Sequence, residues 1–141
     1  MNNLDAFCNW ESLMNVILSI KPQFVQEIIA GRKKFEFRKK IFKQPVKKVY
    51  VYSSSPECRL VGEFEIGKIV QGTPVSVWNQ TNKRSGITKS FYDIYFLNKT
   101  IAYALEIKTF KKYKSPVDPL SVINDFSPPQ SYQYVEDLNL K

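Results

Sequence analysis

Residues 17–38 read Ile17-Leu-Ser-Ile-Lys-Pro-Gln-Phe-Val-Gln-Glu-Ile-Ile-Ala-Gly-Arg-Lys-Lys-Phe-Glu-Phe-Arg38, and this stretch decides the fold. Pro22 can open a helix, because the first helical N–H has no partner within the helix in any case. The apolar residues between positions 24 and 29 follow with the i, i+3, i+4 spacing of one buried helical face. Gly31 comes just after them, where a glycine commonly ends a helix in the left-handed conformation. The stretch therefore predicts a helix between Pro22 and Gly31.

Strands are predicted on both sides of this helix. Residues 16–20 form the first strand. After the glycine, Phe35 and Phe37 alternate with charged residues, which is the period of a strand with one apolar and one ionic face. In this strand–helix–turn–strand unit, the polar groups are gathered at the turn.

The rest of the chain contains further short elements with turn signals between them. Strands are predicted at 49–52, 60–70, 101–107 and around Tyr132 and Tyr134, and short helices at 73–78, 88–96 and 120–123. Gly62 and Gly67 mark a bulge or a barrel corner in the long strand. Because long crossover helices do not separate the strands, we expect an α+β fold: a small mixed β-barrel of five or six strands, flanked by about three short helices.

We expect an N-terminal extension, residues 1–13, followed by a single domain, residues 14–141. Met14 stands directly before the first strand and is a possible biological start, in which case Cys8 and Trp10 are dispensable. The alternative is a short helix in residues 1–13 that packs onto the domain.

Composition and charge exclude several classes of protein. The formal net charge of +8 predicts attraction to polyanions such as nucleic acid, the alternative being a basic protein without such a partner. There is no histidine, which excludes imidazole bases and most zinc sites, and we expect neither a metal nor a cofactor. Cys8 and Cys58 are too few for a disulfide framework. No apolar run is long enough to span a membrane, so a cytoplasmic location without membrane contact is expected.

Charged residues near the turn and on the long strand form one candidate constellation: Lys21, Arg32, Lys33, Lys34, Glu36, Arg38, Glu63 and Glu65. Carboxylates that face cations across neighbouring strands can bind a polar ligand and move a proton. The alternative is a set of exposed ion pairs that contribute little. Regular strand alternation places Lys34, Glu36 and Arg38 on the same face, whereas Lys33 belongs to the turn. Which of the two lysines faces a cleft therefore stays open.

Four segments resemble the ASCH domain family, a branch of the PUA-like superfamily. They are Leu18-Ser-Ile-Lys-Pro, Ile29-Ala-Gly-Arg-Lys-Lys-Phe-Glu-Phe-Arg38, Val61-Gly-Glu-Phe-Glu-Ile and Pro128-Pro-Gln-Ser-Tyr, in the expected order over residues 14–135. The strongest element is the Gly-x-Lys-x-x-x-x-Arg turn and strand. The resemblance implies a small PUA-like β-barrel with a cleft beside the glycine turn that binds RNA or modified nucleosides.

The resemblance also implies a possible enzyme. Some ASCH proteins are amidohydrolases that remove an acyl group from the exocyclic nitrogen of cytidine, and at least one relative cuts RNA. Lys33 matches the lysine of the amidohydrolase pattern, Arg38 the following arginine, and Glu63 or Glu65 its glutamate. Where that pattern has a threonine nucleophile, this sequence has Glu36. The resemblance therefore supports ligand binding more strongly than it supports the deacylation reaction.

Three functions follow from the sequence. The first is a module that binds RNA or a nucleotide and reads a base or modified nucleoside, with Tyr132 or Trp78 available for stacking, although Trp78 fits an ordinary core position better. The second is a hydrolase that acts on N4-acylated cytidine or RNA, and the third is a protein-interaction or regulatory domain. The sequence predicts neither the oligomeric state nor whether catalysis accompanies binding. The predicted catalytic residues are Lys33, Glu36 and Glu65, and the predicted ligand-binding residues are Lys21, Arg32, Lys34, Arg38, Glu63 and Tyr132.

Overall fold

The computed structural model describes residues 13–141, in which three α-helices accompany a six-stranded mixed sheet. The strands are β1 (Met14–Ile20), β2 (Phe35–Arg38), β3 (Val46–Ser53), β4 (Arg59–Gly72), β5 (Ala102–Val117) and β6 (Gln133–Val135). The helices are α1 (Pro22–Ile29), α2 (Pro74–Thr81) and α3 (Lys89–Tyr95), and Asn82–Arg84 and Pro119–Ser121 form 3₁₀ turns. The prediction of an α+β fold, a small mixed PUA-like barrel of five or six strands with about three short helices, is confirmed.

The strands are hydrogen-bonded in the order β2-β5-β4-β3-β1-β6. Only the β1–β3 pair is parallel in this order, and the other neighbours are antiparallel. The two strands at the ends of the order, β2 and β6, are connected through the side chain of Arg38 rather than through a ladder. It donates from β2 to the backbone oxygens of Ser19 in β1 and Ser131, which precedes β6.

The opening unit follows the local rules of its sequence. Pro22 occupies the first turn of α1, and Val25 and Ile28 are its buried residues. Gly31, with φ of +82°, ends the helical segment in the left-handed region that favours glycine. Val25 and Ile28 pack against β1, β3 and β4 in the largest apolar cluster, which includes Leu18, Val51 and Phe64.

A second apolar cluster holds the other side of β2. Phe35 and Phe37 are buried there with Tyr92 and Phe96 from the α3 region and Val77 from α2. Trp78 and Tyr92 pack together, with ring centroids 4.7 Å apart, so Trp78 belongs to this cluster and not to a stacking platform. The phenylalanine alternation thus fixes the face that β2 turns toward the helices.

Strand β5 differs from the prediction, because it continues through the basic segment after Ile107 as far as Val117. The antiparallel pairing with β4 runs from Leu60 to Gly72 and gives this segment hydrogen-bond partners. Lys111, Lys112 and Lys114 are exposed, whereas Tyr113 between them is buried. Lysines therefore occupy a strand here because the long partner strand compensates for their weak strand preference.

Residues 1–12, which include Cys8 and Trp10, lie outside the described residues. The predicted extension and the alternative helix fall almost entirely on this segment. Leu13 is described and lies just before β1. Cys58 is a free thiol. Within residues 13–141, no helix combines the length and the apolar composition that crossing a bilayer requires.

Candidate nucleic-acid interface

Three charged side chains form a buried chain of ion pairs, here called the triad: Lys33, Glu36 and Arg38. Glu36 lies in the middle, with Oε1 3.5 Å from Lys33 Nζ and Oε2 3.3 Å from Arg38 Nη1. The exposed fractions of the three side chains are 1%, 8% and 11%. Burial lowers the pKa of the Lys33 ammonium, and the Glu36 carboxylate acts in the opposite direction. A buried ion pair persists only where further hydrogen bonds compensate for lost water.

The end of α1 places Lys33. The backbone N–H of Lys33 donates to Glu27 O at 3.0 Å, which wraps the turn back onto the helix. Its Nζ then donates to Ser85 O at 3.2 Å and lies over the rings of Phe37 and Phe24, 4.9 and 5.4 Å from their centroids. A desolvated ammonium is attracted to aromatic faces in this geometry. Lys33 is therefore fixed on several sides although it comes from a turn.

Arg38 is placed by the strand period and by two carbonyl groups. It follows Glu36 by two residues on β2, so both side chains leave the same face. Its guanidinium donates to the backbone oxygens of Ser19, at 3.5 Å, and Ser131. Two nitrogens of the planar guanidinium share these acceptors and Glu36, whereas a lysine would have to reach all three from one nitrogen.

The triad forms one wall of a cavity of about 270 Å³. The remaining wall is largely aromatic, with Phe24 and Phe91 edge to face at 4.8 Å between centroids and Tyr95 beside them. Lys21 Nζ lies 5.4 Å from the centroid of Phe91. The cavity is lined by Ser19, Ile20, Lys21, Phe24, Lys33, Glu36, Phe37, Arg38, Ile87, Phe91, Tyr95 and Gln130. It thus combines flat apolar surfaces with both donors and an acceptor.

A wider groove of about 1050 Å³ adjoins the cavity, and the two share Phe24, Ile87 and Phe91. We call it the first groove. Its cations are Arg32, Lys34, Lys83 and Arg84. Arg32 pairs with Glu27, its Nε lying 3.0 Å from Glu27 Oε2.

The loop at residues 82–88 connects this groove to the triad. Lys34 N donates to Arg84 O at 2.8 Å, and Ser85 Oγ donates to Asn82 O at 3.0 Å. In the same loop, Ser85 O accepts the hydrogen bond from Lys33 Nζ. The sequence marks this loop only as polar and basic. The contacts of Ser85 and Gly86 with Lys33 depend on long-range packing and have no local signal.

The structure assembles most of the predicted site residues but not all. Lys33, Glu36, Arg38 and Lys21 line the cavity, whereas Arg32 and Lys34 line the first groove. The choice between the two lysines is thereby settled: Lys33 faces the cavity, and Lys34 is exposed in the groove.

Glu63 and Glu65 lie elsewhere, which corrects the predicted constellation. Glu63 accepts a hydrogen bond from Tyr113 at 2.9 Å, and its Oε2 lies 3.2 Å from Lys48 Nζ. Glu65 is exposed, opposite Lys108 in the β4–β5 ladder. The physical reason is that β5 lies between β4 and β2, which places β4 about 10 Å from β2 at roughly 4.8 Å per strand.

Tyr132 is also away from the cavity. Its ring packs edge-on against Phe42 and Tyr134, at centroid distances of 5.0 and 5.2 Å. It covers the apolar cluster around β1 and β3, so its predicted stacking role has no support in this arrangement. No three histidine, cysteine, aspartate or glutamate side chains of residues 13–141 come together in a way that could hold a metal ion.

Comparison with known proteins matches most of the chain to a family model. The family model described as ASCH domain matches residues 18–112. Among curated proteins, the chain is 33% identical over 127 residues to the large ribosomal subunit protein uL22 of Ureaplasma parvum, covering 89% of this chain. The chain spans only 40% of the length of that protein.

Two further matches come from Zymomonas mobilis. A protein named ASCH domain-containing ribonuclease is 25% identical over 122 residues, which covers 84% of this chain and 82% of that protein. The crystal structure of ASCH from the same organism superposes with a TM-score of 0.80 at 23% identity, over 86% of this chain and 87% of that one. The structural likeness shows a shared fold.

Proposed function

Because this chain belongs to the ASCH domain family, we propose that it binds single-stranded RNA and holds one base or modified nucleoside in the triad cavity. The observation that carries the proposal is the position of the triad, buried on one wall of a cavity whose other wall is aromatic. Sequence-specific recognition of RNA commonly takes an unstacked base onto aromatic side chains and reads its edge by hydrogen bonds.

The chemistry of the triad suits the edge of a base. Glu36 can accept from an exocyclic amine or ring N–H, while Lys33 and Arg38 can donate to a carbonyl or ring nitrogen. The cavity of about 270 Å³ is slightly below the roughly 300–1,000 Å³ of sites for drug-sized ligands, so a single base suits it better than a stack of two.

The charge of the protein supports a polyanionic partner. The formal net charge is +8, and exposed cations line the groove beside the cavity. Attraction of phosphates to such a groove would give binding that weakens as salt rises. The relative named as a ribonuclease supports RNA as the polyanion.

A second candidate is RNA cleavage at the same site, favoured by the lowered pKa of Lys33 beside a carboxylate. In this reaction Glu36, or Lys33 in its neutral form, would take the proton of a ribose 2′-hydroxyl. The oxygen would attack the adjacent phosphorus as the bond to the 5′-oxygen breaks, with Arg38 stabilising the developing negative charge. The departing 5′-oxygen would take a proton from the conjugate acid of the base or from water.

Deacylation of a modified cytidine has less support. The position of the threonine nucleophile holds Glu36, and the two candidate glutamates of β4 are separated from the triad by β5. Binding of a modified nucleoside by the cavity does not depend on those groups.

The test compares Glu36→Gln with Glu65→Gln, since both remove one carboxylate charge but only the first changes the cavity. Nucleosides and short single-stranded RNAs are titrated by NMR and fluorescence anisotropy, and incubated RNA is analysed on gels. Loss of base discrimination in Glu36→Gln alone supports reading by the triad. RNA products from the wild type that are missing with Glu36→Gln make the protein a ribonuclease. If neither nucleosides nor RNA bind, the proposal is wrong and a protein-interaction domain becomes the better explanation.

A further inference from the structure

A second groove lies on the far side of the loop that bounds the first. Its volume is about 630 Å³, and Lys34, Asn82, Lys83 and Arg84 line both grooves. These four residues form a ridge between the grooves. Beyond the ridge, the second groove adds Lys68 from β4 and the amides of Asn79 and Gln80.

Four of the cations that line the two grooves have no anionic partner among the described residues. Lys34, Lys68, Lys83 and Arg84 form no ion pair with a carboxylate of residues 13–141, whereas Lys48 and Lys89 elsewhere do. The carboxylates that line the two grooves are already engaged. Glu27 is paired with Arg32, and Glu106 accepts from the backbone N–H of Lys68 at 3.1 Å.

Neighbouring like charges repel one another in the free protein, and a polyanion that binds along them relieves this repulsion. The backbone of the ridge is also fixed. Lys34 N donates to Arg84 O, and Ile107 N of β5 donates to Lys34 O, each at 2.8 Å. The cations therefore project from a preformed surface, which lowers the entropic cost of binding.

We propose that a single RNA strand leaves the triad cavity past Phe24 and Phe91, enters the first groove, crosses the ridge and ends at Lys68. This inference rests on the proposed function, and it adds the path of the strand and the residues that hold its phosphates. Lys34, Lys83, Arg84 and Lys68 each contact a phosphate on this path, and the amides of the second groove contact sugars or bases. Phe24 and Phe91 offer the nucleotide next to the bound base a surface for stacking.

The experiment measures the affinity of labelled oligouridylates from about two to twelve nucleotides long, a range set by known single-strand site sizes, across a series of salt concentrations. The variants are Lys83→Gln combined with Arg84→Gln on the ridge, and Lys68→Gln in the second groove. Lys114→Gln is the matched control for Lys68→Gln, because each removes one exposed lysine and Lys114 lies on β5 about 25 Å from Glu106 at roughly 3.3 Å per residue.

Affinity is expected to rise with length until the strand reaches Lys68 and then to level off. Each phosphate contact removed should reduce the slope of log K against log salt by about 0.7. Lys68→Gln should weaken only the longer oligonucleotides, whereas the ridge variant weakens short and long ones. Lys114→Gln should match the wild type.

The path is wrong if Lys114→Gln weakens binding of the longer oligonucleotides as much as Lys68→Gln does, because net charge alone would then explain the affinity. It is also wrong if affinity does not depend on length, or if a duplex binds better than a single strand. NMR titration with a nucleoside separates this failure from that of the proposed function. Nucleoside binding that Glu36→Gln abolishes would keep the cavity as a reader even where the path fails, whereas absence of all binding overturns both.

Discussion

Gly86 lies against Lys33 so closely that a Cβ atom added to Gly86 would be 2.4 Å from Lys33 Cβ and 2.8 Å from Lys33 Cα. The backbone of Lys33 cannot yield as the end of a flexible side chain can. Gly86 also has φ of +66°, a conformation that costs other residues roughly 1–2 kcal/mol. The loop and the buried lysine are thus packed backbone to backbone.

We expect Gly86→Ala to destabilise the protein by more than this strain and to displace Lys33. Gly31→Ala is the matched control, because Gly31 has φ of +82° but nothing within 4 Å of an added Cβ. Chemical denaturation of both variants measures the difference. Equal losses of unfolding free energy would mean that the loop moves aside without cost.

Glu36→Gln should move the pKa of Lys33 further below its ordinary value. Glu36 is the group that raises this pKa against the effect of burial, and the substitution leaves the burial unchanged. NMR titration of the lysine side-chain signals measures the shift. Glu65→Gln should leave the titration of Lys33 as it is, because Glu65 lies on exposed β4 surface. A pKa of Lys33 that rises in Glu36→Gln contradicts this assignment.

Arg38→Lys should lower the unfolding free energy by about 1.5–3 kcal/mol, the range for a hydrogen bond to a charged group. A lysine would have to reach Glu36 and the carbonyls of Ser19 and Ser131 from one nitrogen. Hydrogen exchange should become faster in β6, which follows Ser131. Arg32→Lys serves as the control, because the pair with Glu27 is solvent-exposed and is expected to contribute little to stability. Unchanged exchange in β6 would show that Arg38 does not hold this strand.

Stability should fall between pH 10 and about 12. Burial raises the pKa of Tyr50 and of Tyr92 to about 12, from an ordinary value of 10. In this window the unfolded chain releases these protons while the folded protein keeps them, so the unfolding free energy decreases as pH rises. Denaturation at several alkaline pH values, with tyrosinate absorbance, measures the effect. Tyr92→Phe should reduce the decrease, and an unaltered pH dependence would contradict the role of Tyr92.

The parts of the fold that the sequence predicts are the parts with local causes. Pro22, Gly31 and the alternation of Phe35 with Phe37 define α1, the turn and β2 without help from distant residues. The triad is predictable for the same reason, since its three members lie within one short segment.

The parts that the sequence does not predict depend on which strands become neighbours. Glu63 and Glu65 have the right residue type and period, but the insertion of β5 between β4 and β2 separates them from the triad. The loop cations Lys83 and Arg84 are visible in the sequence, whereas their place beside Lys34 comes from a fold that brings residues 82–88 onto the end of α1. No local pattern contains this information.

The contact between Arg38 and Ser131 has a consequence for synthesis of the protein. The two residues are 93 positions apart in the sequence, so Arg38 is made long before its acceptor. A growing chain emerges from the ribosome N-terminal end first, and pairings between distant segments form late. Arg38 can meet Ser19 and Glu36 early, but its third acceptor is absent until Ser131 has emerged. An incomplete chain would therefore carry the turn and β2 without the full set of hydrogen bonds that positions the triad.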